Sequence, residues 1–474
     1  MILLAGAAHG QQQANSPPAQ AAVQDPANPD APDDVNTPLP SAANIGQESI
    51  GALFPEPFKT LNGLRPWLVD RGLQFAVTYQ GDPMANVSGG IKPGATYMGR
   101  LQSTVEFDPE KTTGWKGGMF HVSGYQIHGV GLSQHFVGSI EPVSDLEAVA
   151  TTRLYELWFE QRLHRTLTVR FGQLGADTEF FLSPYYGIGI GGTFGWPSIT
   201  TLNLPSGGPA YPFSAPGIRV KYMPTDRLTF LAAIFDGNPA GPGDTNPQYR
   251  NQNGVNFRIQ DPPLFLGEGQ WRYGSTDGPV YPGTIRLGGW LHLGKFADQR
   301  YAIDGFPLSS PLSIGLPLQR RTNTGVYGVI DQQIFQKPDK KDDGVYAFAR
   351  VAFAPSDRNE IDFYADGGLS FQGLVPGRPD DQFGLLGAFT KISSQVRAAD
   401  IDANFYNATF NPVRTFEAIA EATYSAKIAS GVLLQPNVQY VIRPGGGIRN
   451  PTMPWSTRAV SNALVVGMRT TIQY

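Results

Sequence analysis

Leu167-Thr168-Val169-Arg170-Phe171-Gly172-Gln173 alternates apolar residues with polar or small ones, and Gly217-Ile218-Arg219-Val220-Lys221-Tyr222 repeats the pattern. Successive side chains of a strand point to opposite faces, so each segment predicts a strand with one oily face and one polar face. Between them lie more than 40 residues rich in glycine, proline and aromatics. They include Phe180-Phe181-Leu182-Ser183-Pro184-Tyr185-Tyr186, Phe194-Gly195-Trp196-Pro197 and Leu204 to Pro212. Loops of that length are uncommon in compact domains and usually functional. This one is too aromatic to be left in water, which predicts a loop packed into something hollow.

The flanking chain supplies the hollow object. Alternating segments recur from Leu73–Tyr79 to the terminal Leu464–Tyr474. They include Leu101–Phe107, Leu154–Glu160, Leu228–Phe235, Ile285–Leu291, Val345–Val351, Ile361–Ala365, Phe416–Ala422 and Leu433–Ile442. Roughly fifteen or sixteen such segments emerge, each about 8–12 residues, a length that crosses a bilayer when tilted. Asp108-Pro109 with Thr113-Gly114, Met223–Asp226 and Ala354–Asp357 read as tight turns. Gly237–Pro282 and Asp298–Asn323 read as long loops without periodicity. Short turns at one rim and long loops at the other are the pattern of an outer-membrane barrel.

Composition agrees. Of 474 residues only 16% are charged, against about a quarter in soluble domains. Glycine reaches 56 and aromatics 11%, with no apolar run long enough for a spanning helix. The net charge of −4 carries no block of one sign and gives no reason to expect nucleic acid. Cysteine is absent, which excludes disulfides and thiolate chemistry. The six histidines show no metal-binding spacing, and no Gly-x-Ser-x-Gly supports a serine hydrolase; no cofactor is expected.

In lipid only helices or closed barrels satisfy every backbone polar group. The expectation is therefore an all-β, transmembrane antiparallel β-barrel of about 16 strands, with an inward-folded long loop and a short N-terminal helix. That helix is read from Leu61, Leu64, Trp67 and Leu68, limited by Pro66. Residues 1–10 resemble the remnant of a signal peptide. Residues 11–55, rich in Pro and Ala, are expected to be disordered, and 56–474 to form the barrel. Tyr155, Trp158, Tyr222, Tyr424 and Tyr440 are candidates for interfacial girdles.

Periodicity turns Arg100, Glu106, Glu156, Trp158, Arg170 and Arg219 inward, while Asp177, Glu179, Trp196 and Tyr211 ride on the long loop. Facing charges of both signs, with aromatics, suit a sugar: hydroxyls for Arg and carboxylate, an apolar ring face for Trp or Tyr. The same residues also suit plainer roles. Arg170 and Glu156 suit a cross-strand pair, Trp196 a loop anchor, and Asp177 and Glu179 ties between loop and wall.

Arg170-Phe171-Gly172-Gln173, Asp177-Thr178-Glu179-Phe180, Phe194-Gly195-Trp196-Pro197 and Leu204 to Pro212 resemble the signature of the OprB-type carbohydrate-selective porins of bacterial outer membranes. The likeness runs in order from about Leu61 to Tyr474. It implies an outer-membrane location, passive diffusion of small, glucose-like sugars, and a setting of outer-membrane lipid and lipopolysaccharide, as monomer or homotrimer. A final strand ending on Tyr474 resembles the signal read by the outer-membrane assembly machinery. The alternatives are a general porin without sugar selectivity, an outer-membrane hydrolase and a secreted glycan-binding β-protein.

Overall fold

Alternation along the chain becomes a ring. The computed structural model describes residues 49–55, 59–61, 63–453 and 455–474. The segments read as signal remnant and most of the disordered tail lie outside them. Sixteen strands pair in sequence order, all antiparallel, and the first pairs with the last to close the barrel. They are β1 Leu73–Gly90, β2 Gly94–Phe107, β3 Gly118–Gly129, β4 Thr151–His164, β5 Leu167–Leu174, β6 Ala215–Thr225, β7 Leu228–Phe235 and β8 Leu264–Tyr273. There follow β9 Gly283–Ala302, β10 Pro317–Lys337, β11 Lys340–Phe353, β12 Ile361–Gln372, β13 Gln382–Ile392, β14 Phe416–Ala429, β15 Val432–Ile442 and β16 Ser461–Gln473. Closure leaves no open edge, which a lipid environment demands.

One rim carries mostly short turns, such as 165–166, 226–227, 338–339 and 430–431. The other carries the long connections, including 130–150, 175–214, 236–263, 393–415 and 443–460. Four sequence expectations shift. The stretch Gly237–Pro282 contains β8, hidden because Gly267 and Gly269 take two outward positions and blank the alternation. Asp298–Asn323 shrinks to a loop at 303–316, since β9 and β10 extend past it on both sides. Ala354–Asp357 turns at the long-loop rim, and Met223 to Thr225 belong to β6.

Outward positions are apolar and uncovered by protein: Leu287 is 67% exposed, Val326 61%, Phe171 51% and Ile218 49%. Inward positions bury charge: Arg219 and Arg350 are each 1% exposed and Glu106 1%. This is the inversion of a soluble barrel. Tyr222 and Tyr440 are exposed on the outer face, as a girdle requires. Tyr155 and Trp158 are not. Trp158 shares the inward parity of Glu156 and Glu160, and an extra residue in β4, where Ser123 faces Glu156 but Gly124 faces Leu154, switches phase and turns Tyr155 inward as well.

The lumen also departs from a uniformly polar lining. On β7 and β8 the inward side chains include Leu231, Ala233, Phe235, Leu264 and Leu266, all buried. They join one apolar cluster with Phe180, Phe181, Phe194, Ile199 and Leu204 of the 175–214 loop. The loop brings its own hydrophobic core inside the ring, and this wall is apolar to receive it.

The N-terminal part closes the seam. Leu64–Val69 forms the expected short helix. Its Arg65 guanidinium lies 5.2 Å from the ring centre of Tyr474. Ile50–Leu53 makes a 3-10 turn, inside the segment read as disordered to residue 55. Gly51 explains it: a Cβ there would meet the Tyr474 ring at 3.0 Å.

Candidate permeation site

Three adjacent strands carry the site's centre. Glu160 on β4 pairs in register with Arg170 on β5, which pairs with Arg219 on β6. Strand alternation sends all three inward. Glu160 Oε2 accepts from Arg170 Nε at 2.9 Å and from Arg219 Nη2 at 2.6 Å. From the loop, Glu179 Oε1 accepts from Arg170 Nη1 at 2.7 Å and Arg219 Nη2 at 2.6 Å. Two guanidinium and two carboxylate groups neutralise each other in a buried square, the arrangement that makes charge burial tolerable. Burial alone pushes the Glu179 carboxyl up, but Arg219 and Arg170 overcome it and hold it near 2.

The square continues along the wall. The Arg170 guanidinium lies 3.7 Å from the Trp158 ring centre, and the His121 ring stacks on Trp158 at 4.5 Å and 2°. Both are too close to share one face, so the indole is sandwiched. His121 Nδ1 contacts Glu106 Oε1 at 3.0 Å, and Nε2 lies 3.7 Å from Glu156 Oε2. A belt thus runs Glu106, His121, Trp158, Arg170, Arg219 across β2 to β6. Trp158 Nε1, Arg170 Nη2 and Arg219 Nε are buried N–H groups with no acceptor among the described residues.

Not every predicted residue joins this belt. Arg100 on β2 pairs with Gln80 Oε1 at 2.6 Å and Asp145 of the 130–150 loop at 3.7 Å, beneath the Tyr125 and Tyr211 rings. Glu156 accepts from Gly175 N at 3.0 Å, tying down the start of the loop. Asp177 accepts from the Tyr155 hydroxyl and from Tyr211 N at 2.9 Å; burial raises its carboxyl to about 6 against those bonds. Trp196 packs within the loop and donates to Gly207 O at 3.2 Å, an anchor's geometry.

The residues that seat the loop escaped the sequence reading. Arg350 on β11 donates to the carbonyls of Phe181, Thr193, Phe194 and Gly195 at 2.8–3.1 Å, and to Asp366 on β12. Glu268 on β8 accepts from Phe181 N at 3.0 Å, and Glu421 on β14 from Ile190 N at 2.6 Å and Gly191 N at 3.0 Å. The loop leaves between β5 and β6, crosses the ring and is held by the far wall. Its backbone groups find partners on inward side chains, as buried loops must. The signal was available: Arg350 is the lone charge among Ala347-Phe348-Ala349-Arg350-Val351-Ala352, on an inward position.

A closed antiparallel barrel with an apolar exterior, a charged interior and a folded-in loop defines an outer-membrane channel of the porin class. Residues 92–474 match the family described as carbohydrate-selective porin, OprB family, and the chain belongs to that family. It is therefore a carbohydrate-selective channel of the outer membrane. Porin B of Pseudomonas aeruginosa is 25% identical over 430 residues, covering 86% of this chain and 88% of that one. The high-pH structure of Pseudomonas putida OprB superposes with a TM-score of 0.78 at 22% identity, covering 88% and 97% of the two chains. Its low-pH structure gives 0.53 at 17% identity, covering 90% and 100%.

Proposed function

We propose that the chain passes small neutral sugars by passive diffusion, with a constriction set by Arg100, Glu106, Glu156, Trp158, Arg170, Asp177, Glu179, Trp196 and Arg219. The roles divide. Arg170, Arg219 and Trp158 offer hydrogen bonds to the sugar. Glu106, Glu156, Glu160 and Glu179 hold those donors in place. Asp177 and Trp196 shape the loop that narrows the passage. Arg100 works at the mouth with Tyr125 and Tyr211.

The observation that supports this reading is the set of three buried donors without acceptors among the described residues, beside carboxylate oxygens that already accept from both guanidinium groups. A buried N–H left unmade is costly. A passing hydroxyl oxygen satisfies it as water does, and neutral balance in the square gives no strong preference for an ion of either sign. Binding stays weak, as conduction requires.

Planar bilayers test the proposal. The purified protein is expected to conduct ions, and millimolar glucose to lower that conductance. Conductance indifferent to glucose, with free passage of small ions, would favour a general porin. Ester hydrolysis by the purified barrel would reopen the enzyme alternative.

A further inference from the structure

Seven arginines among the described residues are less than a tenth exposed. Six have a carboxylate: Arg100, Arg170, Arg219, Arg286, Arg350 and Arg469. Arg153 does not. It is the third residue of β4, at the long-loop rim, and only 2% exposed. Its Nη2 donates to the backbone carbonyl of Asn251 at 2.9 Å. Its Nε and Nη1 find no acceptor among the described residues. The Phe213 ring lies 4.7 Å from the guanidinium. Nearby phenols are engaged elsewhere: Tyr211 donates to Leu146 O at 3.1 Å and Tyr155 to Asp177.

A buried cation without a counter-charge is expensive, and proteins ordinarily pair it. Here the wall supplies aromatic faces and one carbonyl but, among the described residues, no anion. We infer that Arg153 and the aromatic cluster around it form an acidic-sugar site at the external mouth, where Arg153 takes the carboxylate of an aldonate or uronate. A guanidinium fork matches a carboxylate. Tyr211, the partly buried member of the cluster it forms with buried Tyr125 and Tyr155, is the ring placed to meet the carbon skeleton. The inference deepens the channel reading and rests on it: a solute captured at the mouth precedes the neutral belt further in.

The test compares block of single-channel current by sodium gluconate, glucose and sodium acetate added to the external side. Gluconate is expected to half-block at about a tenth of the glucose concentration, the scale of one charge-assisted contact, with acetate weaker than gluconate. Arg153→Gln should bring the gluconate-to-glucose ratio back to about one, and Arg153→Lys, which keeps the charge but loses the fork, to an intermediate value. If Arg153→Gln does not assemble into conducting barrels, the lysine variant carries the test. Equal block by gluconate and glucose in the unaltered protein, or a ratio unmoved by substitution, overturns the inference. So does acetate matching gluconate, since the site would then take any small carboxylate. A protein that conducts nothing at all sinks the channel reading itself, a result distinct from these.

Discussion

At the scale of single residues, two groups dominate the loop's attachment. Arg350 joins Asp366 to four loop carbonyls in a fully buried setting. Arg350→Ala leaves Asp366 without its partner, a loss of about 3–5 kcal/mol for buried pairs. Thermal unfolding in detergent should show a lower midpoint, and single-channel recordings a larger conductance as the loop loosens; values equal to the unaltered protein would deny Arg350 its role. Glu179 makes a pH prediction. Its carboxyl sits near 2 against an ordinary 4.5. A depressed folded value gives stability that is complete above about pH 5 and lost as pH falls toward 2, on the order of 3 kcal/mol. Asp177 runs the other way: raised to about 6, it favours the fold as pH drops from about 6 to 4. Denaturation of the unaltered protein and Glu179→Gln between pH 5 and 2 separates them. The variant should lose less stability over that range; parallel curves would show that Glu179 is not held by Arg170 and Arg219.

At the scale of elements, the 175–214 loop is the feature to probe. Residues 171–218 contain no lysine or arginine, while Phe180, Phe181 and Phe194 are each 1% exposed. The helix Ser394–Tyr406 and its continuation instead show Phe405 at 77% and Phe410 at 82%. Brief chymotrypsin treatment of the folded barrel should cut after Phe405 or Phe410 and spare 175–214, because cleavage needs accessible backbone. Early cuts within 175–214 would mean the loop does not lie inside. Much of this element was readable beforehand. Its length, its aromatics and its flanking strands predicted a packed loop. Its seating was not, because the partners lie far away in sequence: Phe181 with Glu268 and Arg350, Ile190 with Glu421. The apolar patch on β7 and β8 was not legible for the same reason. Leu231 and Leu266 carry no local sign that their luminal face meets a loop rather than water. Tyr155 was misplaced as a girdle residue because a one-residue bulge reverses facing without altering composition.

At the scale of the whole molecule, everything depends on which face of the wall meets lipid. The outer face exposes Phe171, Ile218, Val220 and Leu287, while the inner face buries paired charge. Alternation made this legible, since a period of two with charge on one side and oil on the other survives local errors of turn and length. Absence of native cysteine makes the arrangement directly measurable. Val220 and Lys221 are consecutive on β6; Val220 is 37% exposed on the outer side, and Lys221 shares the inward parity of Arg219. The decisive measurement is single-channel current from Val220→Cys and Lys221→Cys during exposure to a charged, membrane-impermeant thiosulfonate. Lys221→Cys should react and change the conductance stepwise, and Val220→Cys should stay inert in lipid. Reaction at Val220→Cys with silence at Lys221→Cys would place oil inside and charge outside, and contradict the barrel as described.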